Sequence, residues 1–169
     1  MHSDSPPISS ALTPVCRFLL ALIAVTALGP RADAGEVGAF ITLPTPTEAW
    51  RTGFGFHAAI FSLPFFQAGG EFAHMGAEDL LISISTYTAQ AEFAPPSIKI
   101  KPFVGVGAGA YRLKAGDASD WGTLTSIFAG VKVPVGPARL RAEFRRVSLS
   151  GKPRPNFDKR YSLGVTFGF

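Results

Sequence analysis

The sequence contains little cysteine, little histidine and few charged residues for its length. It has 1 cysteine and 3 histidines among 169 residues, and Cys16 precedes the longest apolar run. A disulfide framework and a zinc site built from cysteine and histidine are therefore excluded. Hydrophobic residues make up 47% of the chain, yet after Gly35 no apolar stretch approaches the ~20 residues of a membrane-spanning helix. Apolar residues dispersed among 18 glycines favour a β-barrel over a helical membrane protein.

The N-terminal part of the chain has the features of a secretory signal peptide. Arg17 is followed by an apolar run over residues 18–28, and Ala32-Asp33-Ala34 matches the small-residue pattern of a cleavage site. The run is about half as long as a spanning helix, which disfavours a single membrane anchor. We therefore predict a signal peptide over residues 1–34 and a mature domain over residues 35–169.

The C-terminal residues alternate between bulky and small side chains with a period of two. In a strand, this pattern places Ser, Gly and Thr on one face and five bulky residues on the other, namely Tyr161, Leu163, Val165, Phe167 and Phe169. A soluble protein would usually bury the bulky face and solvate a polar one, but the second face here carries no charge. The pattern is typical of a transmembrane barrel strand, whose bulky face meets lipid.

The predicted mature domain consists of strand-like runs separated by turn residues. Eight strands are predicted, over residues 36–43, 52–62, 65–74, 80–93, 99–113, 123–135, 138–148 and 159–169. Longer connections alternate with short turns, as in outer-membrane barrels, and in lipid only a closed sheet leaves no backbone group unpaired. We therefore predict an all-β fold, an eight-stranded antiparallel transmembrane β-barrel, with a polar loop over residues 114–122 and a bulge near Thr86.

Charged residues within the predicted strands are expected to face the lumen. A charge that faces lipid at the bilayer midplane costs about 2 to 4 kcal/mol. In the seventh strand Leu140 and Phe144 share one face, and the other face carries Arg139, Arg141, Glu143 and Arg145. Because eight strands enclose a lumen barely wide enough for side chains, a charged network is expected to plug it. The predicted members of this network are Glu71, Lys132, Arg139, Arg141, Glu143 and Arg145.

The segments 101–111, 139–145 and 161–169 resemble the fifth, seventh and eighth strands of small bacterial outer-membrane β-barrel proteins, the OmpA/OmpX-like group. The resemblance implies a location in the bacterial cell outer membrane, and contacts with its insertion machinery and with periplasmic chaperones. In that group the closing aromatic belongs to the insertion signal, a role implied here for Tyr161, Phe167 and Phe169. Larger members add a peptidoglycan-binding domain; because the sequence stops at Phe169, we do not expect that tethering function.

The chain is basic, and the excess of positive charge belongs to the predicted mature domain. The formal net charge is +4, to which the signal peptide contributes equal numbers of each sign. Export makes nucleic acid an unsuitable partner, whereas phosphates of outer-membrane lipid and lipopolysaccharide are well placed. Cations and aromatic residues, among them Trp50, Trp121 and Arg160, gather near the predicted outer rim. The predicted lipopolysaccharide contacts are Arg51, Lys114, Lys152 and Arg154; an ordinary aromatic girdle with solvated loops is the alternative.

Taken together, these features favour a monomeric structural or surface-interaction barrel without enzymatic activity, cofactor or metal. One alternative is a lipid A-modifying enzyme, a deacylase or acyltransferase. His74 with Ser83 or Ser85, and Glu78 or Asp79, could supply its base, nucleophile and acid, although nothing in their spacing requires them to converge. A narrow channel gated by the lumen charges is a second alternative. A soluble lipocalin-like barrel, with its apolar face buried inward, is a third.

Overall fold

The structure is a computed structural model that describes residues 35–45, 50–77, 81–95, 99–151, 155 and 158–169. The predicted signal peptide lies outside the described residues. In the part of the chain that is described, no helix has the length and the hydropathy needed to cross a membrane.

Eight antiparallel strands form one closed barrel in chain order. Their bounds are β1 Glu36–Thr45, β2 Gly53–Leu63, β3 Phe66–Gly76, β4 Ile82–Phe93, β5 Lys101–Ala115, β6 Ala118–Val135, β7 Ala138–Ser150 and β8 Lys159–Gly168. Each strand pairs with its neighbours in the sequence, and β1 pairs with β8 to close the sheet. The predicted all-β, eight-stranded antiparallel barrel is therefore confirmed.

The two ends of the barrel carry different connections. Short turns join β2 to β3 at Pro64-Phe65 and β6 to β7 at Gly136-Pro137, and the chain enters β1 and leaves β8 at this same end. We call it the turn end, and we call the opposite end the loop end. The connection from β4 to β5 also lies at the turn end but runs over residues 94–100, longer than predicted. Pro95, just after β4, lacks the N–H that a strand ladder requires.

The outward and inward faces of β7 and β8 are those that the alternation predicts for Leu163, Phe144, Arg141 and Glu143. On the exterior, Leu163 is 56% exposed and Phe144 is 39% exposed. In the interior, Arg141 is 4% exposed and Glu143 is 6% exposed. A lipocalin-like barrel would show the opposite arrangement, so that alternative is wrong.

The exterior carries an apolar band with aromatic residues towards both ends. On β5 the outward residues from Val104 to Ala110 are apolar, and the next outward residues are Arg112 and Lys114. Exposed aromatic residues of the loop-end half are Phe54, Phe56, Tyr87, Trp121, Phe144 and Tyr161, and those of the turn-end half are Phe61, Phe65, Phe66, Phe93 and Phe169. Two aromatic girdles around an apolar band are the exterior expected of a barrel in a bilayer.

The polar loop predicted over residues 114–122 is wrong, because most of it belongs to the β5–β6 hairpin. Ala115 and Ala118 are register partners, so the turn consists of Gly116 and Asp117. Gly116 has a φ of 59°, and a glycine with positive φ at the first turn position is the signature of a tight type II′ hairpin. Polar composition indicated a loop, whereas the glycine in this register allows the ladder to continue almost to the tip.

The bulge predicted near Thr86 is also wrong. The pairing of β4 with β3 and with β5 is continuous through Thr86. The prediction assumed that Ile84 and Glu92 cannot share an inward face, but Ile84 is fully buried in an apolar part of the lumen while Glu92 is buried in a charged part. A register shift occurs instead in β2, between Ala59 and Phe61.

Glycines of the barrel wall lie against aromatic rings from neighbouring strands. A Cβ atom at Gly105 would collide with the ring of Phe128, and one at Gly130 would collide with the ring of Phe103. The structure shows that each ring occupies the space that a glycine leaves, which fixes the register of β5 against β6.

Replacing a wall glycine is therefore expected to impair barrel closure. We predict that Gly105→Val lowers the fraction of the purified protein that migrates as a compact, heat-modifiable species in gels, because the added methyl groups overlap the ring of Phe128. The outward Ala108→Val on the same strand is the matched control and is expected to leave that fraction unchanged. Equal compact fractions for the two variants would contradict the interlocked packing of glycine and ring.

Candidate functional site

The lumen divides into a charged part towards the turn end and an apolar part towards the loop end. We call the charged part the lumen network. Its carboxylates are Glu36, Glu71, Glu92 and Glu143, and its cations are Lys132, Arg139, Arg141, Arg145 and Arg160. All of these side chains except that of Arg139 are buried.

Two arginines of β7 lie at the centre of the lumen network. Arg145 donates from Nε to Glu143 at 2.8 Å and from Nη2 to Glu71 at 2.8 Å. Arg141 donates to Glu143 at 2.6 Å and to Glu92 at 2.7 Å. Because Arg141, Glu143 and Arg145 alternate inward on one strand, Glu143 binds both arginines, and each arginine reaches a carboxylate across the lumen.

The remaining ion pairs extend the lumen network to the turn end and to β8. Lys132 of β6 lies 2.8 Å from Glu36 and 2.6 Å from Glu92. Arg139 donates to Glu36 at 3.2 Å, and Glu36 also lies 3.1 Å from the Nε2 atom of His57. Arg160 donates to Glu71.

The structure thus places all six predicted lumen residues in this one region. It also adds four residues that the sequence interpretation missed, namely Glu36, His57, Glu92 and Arg160. Parity within a strand could have indicated the first three, since each shares its inward face with a neighbouring small or polar residue. Arg160 was placed at the outer rim, which is wrong, because alternation from Tyr161 turns its side chain into the lumen.

Aromatic rings lie between the wall glycines and the cations. The guanidinium carbon of Arg141 lies 4.0 Å from the centroid of the Phe103 ring, and that of Arg145 lies 4.2 Å from the centroid of the Phe128 ring. These are the same rings that fill the space at Gly130 and Gly105. Cation–π attraction is strongest where both groups are desolvated, so each ring helps to hold its arginine in place.

The apolar part of the lumen closes the loop end. Its buried residues are Trp50, Met75, Ala77, Ile84, Tyr111, Leu113, Leu124, Val147 and Leu149. Trp50 was predicted for the rim girdle, but it is only 6% exposed and belongs to this cluster. The position of Trp50 in an outer connection hid this role, because no strand periodicity assigns a face to it.

Little space remains within the lumen network. A cavity lined by His57, Gln90, Glu92 and Arg141 has a volume of about 10 Å³. That volume is close to the minimum that holds one water molecule. A larger recess of about 360 Å³ opens at the turn end, where Lys101 and Arg139 meet the β2–β3 turn. The geometry of the described residues is therefore that of a plug rather than of a water-filled passage.

The predicted insertion-signal residues share the outward face of β8. Tyr161 is 51% exposed, Phe167 is half-buried, and Phe169, just beyond the strand, is 37% exposed. Of the predicted lipopolysaccharide contacts, Arg51 and Lys114 are exposed at the loop end. Lys152 and Arg154 lie outside the described residues.

His74 and Ser85 form an exterior pair on adjacent strands. The Nδ1 atom of His74 lies 3.0 Å from the hydroxyl oxygen of Ser85. In a serine hydrolase triad the serine contacts Nε2 and the acid contacts Nδ1, so the nitrogen that would face the acid is here occupied by the serine. Glu78 and Asp79, the predicted acids, lie outside the described residues. Among the residues that are described, no group of three metal-ligating side chains is present.

Removing one arginine of the lumen network is expected to destabilise the barrel. We predict that Arg145→Met lowers the free energy of unfolding by about 3 to 5 kcal/mol, because Glu71 and Glu143 stay buried with a partner missing. The outward Arg112→Met is the control, expected to change it by less than about 0.5 kcal/mol. Urea unfolding in detergent micelles, followed by tryptophan fluorescence, measures both. Equal effects would show that the lumen network contributes no specific stability.

Solved structures with the same architecture are similar to this chain. No protein-family model and no curated protein matches the sequence. The N-terminal β-barrel domain of Pseudomonas aeruginosa OprF is similar with a TM-score of 0.55 and 18% identity, covering 80% of this chain and 96% of that chain. Neisserial surface protein A has a TM-score of 0.62 and 14% identity, covering 80% of this chain and 94% of that chain. A de novo designed transmembrane β-barrel has a TM-score of 0.54 and 12% identity, covering 84% of this chain and 100% of that chain.

At these identities the likeness shows the fold. It agrees with the exterior apolar band, the inward charges and the closed order of strands. The OmpA/OmpX-like resemblance expected from the sequence is confirmed at that level. This chain has the fold of the small eight-stranded outer-membrane β-barrels.

Proposed function

We propose that the protein is a monomeric outer-membrane barrel with a structural or surface-interaction role, and that it is not an enzyme or a channel. The observation that carries this proposal is the filled lumen. The lumen network occupies the turn-end part, and the apolar cluster around Ile84 and Tyr111 occupies the loop-end part. Because the described lumen side chains fill the barrel centre, contact with a partner is expected on the exterior or at the ends of the barrel.

The proposed orientation places the turn end in the periplasm. Two of the three connections at that end are short turns, and both ends of the barrel chain lie there, as expected for the periplasmic side of bacterial barrels. The loop end then faces the cell surface, where the exposed side chains of Arg51 and Lys114 would meet phosphates of lipopolysaccharide. Delivery to this membrane would involve periplasmic chaperones and the insertion machinery, with Tyr161, Phe167 and Phe169 supplying the insertion signal.

A plugged barrel is expected to conduct poorly. We predict that the purified protein in planar lipid bilayers gives no discrete conductance steps, because ions meet buried salt bridges and then a dry apolar layer. A water-filled barrel of known conductance, reconstituted in the same way, serves as the positive control. Discrete steps that change with Glu143→Gln would favour the channel instead.

Among the described residues, the contact between His74 and Ser85 is the observation that favours a lipid A-modifying enzyme. Our proposal predicts that lipid A incubated with the purified protein keeps its acyl pattern, measured by mass spectrometry. The reason is that Nδ1 of His74 already contacts Ser85, which leaves it unavailable to an orienting acid. Loss of an acyl chain that disappears with Ser85→Ala, but not with the nearby Ser83→Ala, would establish the enzyme.

A further inference from the structure

Two cations lie directly opposite one another on the exterior of β7 and β8. Arg146 and Lys159 are register partners, which places their Cβ atoms about 4.5 to 5.5 Å apart. Both side chains are exposed, and neither forms an ion pair with any carboxylate among the described residues. Like charges in this position destabilise a sheet, so the pair is a site at which a bound anion would remove a repulsion.

Arg146 and Lys159, which we call the cation pair, lie at the loop-end edge of the apolar band. At the next outward-facing position of each strand, towards the turn end, Phe144 and Tyr161 are register partners. Their ring centroids are 5.2 Å apart. On the other side of β7, the register partner of Arg146 is Ile127 of β6. In a bilayer the aromatic pair lies at head-group level, so the two cations meet lipid phosphates rather than acyl chains.

An apolar groove continues from the aromatic pair down the same face. It has a volume of about 430 Å³, and it is lined on the exterior by Ile41, Leu43, Val131, Ala142, Tyr161 and Leu163. Ala142 lies at its centre, with Val131 and Leu163 as its register partners. The small side chain of Ala142 between larger neighbours creates the depression. The cation pair and the groove therefore lie in successive rows of the same strands.

We propose that this face binds one phosphorylated glycolipid of the outer leaflet, lipopolysaccharide. A phosphate lies between Arg146 and Lys159, and an acyl chain occupies the groove around Ala142. The guanidinium binds two phosphate oxygens at once, and the ammonium adds a mobile point charge. The inference rests on the proposed outer-membrane orientation, and it names a site distinct from the rim residues Arg51 and Lys114.

Native mass spectrometry of the barrel in neutral detergent micelles, with purified lipid A as the probe, tests this site. For Arg146→Gln combined with Lys159→Gln, we expect lipid A retention to weaken roughly tenfold or more, the loss typical of a charge-assisted contact. Lys99→Gln combined with Lys101→Gln removes the same charge near the turn end and is expected to leave retention unchanged.

The groove is tested separately by filling it. Ala142→Phe is expected to weaken retention of lipid A, whereas Ala108→Phe, an equal enlargement of the outward face of β5, is expected to have no effect. Both exchanges are on the lipid face, and a heat-modifiable gel shift verifies that each variant is folded.

Three outcomes would overturn the proposed site. The first is that the Arg146 and Lys159 double variant retains as much lipid A as the unaltered protein. Equal retention of lipid A stripped of its phosphates is the second, and equal retention of phosphatidylglycerol is the third, since it would remove the preference for the glycolipid. Cell fractionation keeps the two proposals apart, because recovery in the outer membrane without lipid A binding rejects this site alone.

Discussion

The pairing of β1 with β8 is the constraint on which the rest of the structure depends. It joins the ends of the described barrel through ten register pairs, from Glu36 and Gly168 to Thr45 and Lys159. Without this seam, two strand edges would carry unpaired N–H and C=O groups, each of which costs several kcal/mol in hydrocarbon. Closure of eight strands then fixes the width of the lumen, and the width determines what can fill it.

The narrow lumen is filled by layers rather than by a uniform core. Towards the turn end, the ring of Phe128 rests on Gly105, and the guanidinium of Arg145 rests on that ring. Glu143 of the same strand and Glu71 of β3 neutralise the arginine. Towards the loop end, the filling changes to apolar side chains such as Ile84. Small outer-membrane barrels are expected to have a polar interior. In this protein that expectation is accurate only for the turn-end part of the lumen.

Two adjacent residues of β7 have different roles because their side chains point to opposite faces of the strand. Arg145 faces inward and is 1% exposed, bound to two carboxylates and an aromatic ring. Arg146, the next residue, faces outward above an apolar groove and opposite Lys159. Because Arg146 is exposed on the outer face, it is able to meet lipid, whereas Arg145 is not.

The sequence by itself determined the strand number, the outward face of the bulky residues and the inward position of Arg141, Glu143 and Arg145. These depend on local periodicity, which any strand expresses in two-residue steps. Only the tertiary structure decided which charges meet. Glu36 and Lys132 are distant in the chain, and Glu71 reaches Arg145 across the lumen. The tertiary structure also decided that Trp50 and Ile84 are buried. Their burial at the loop end follows from closure of the sheet, because closure brings together strands that are distant in the sequence.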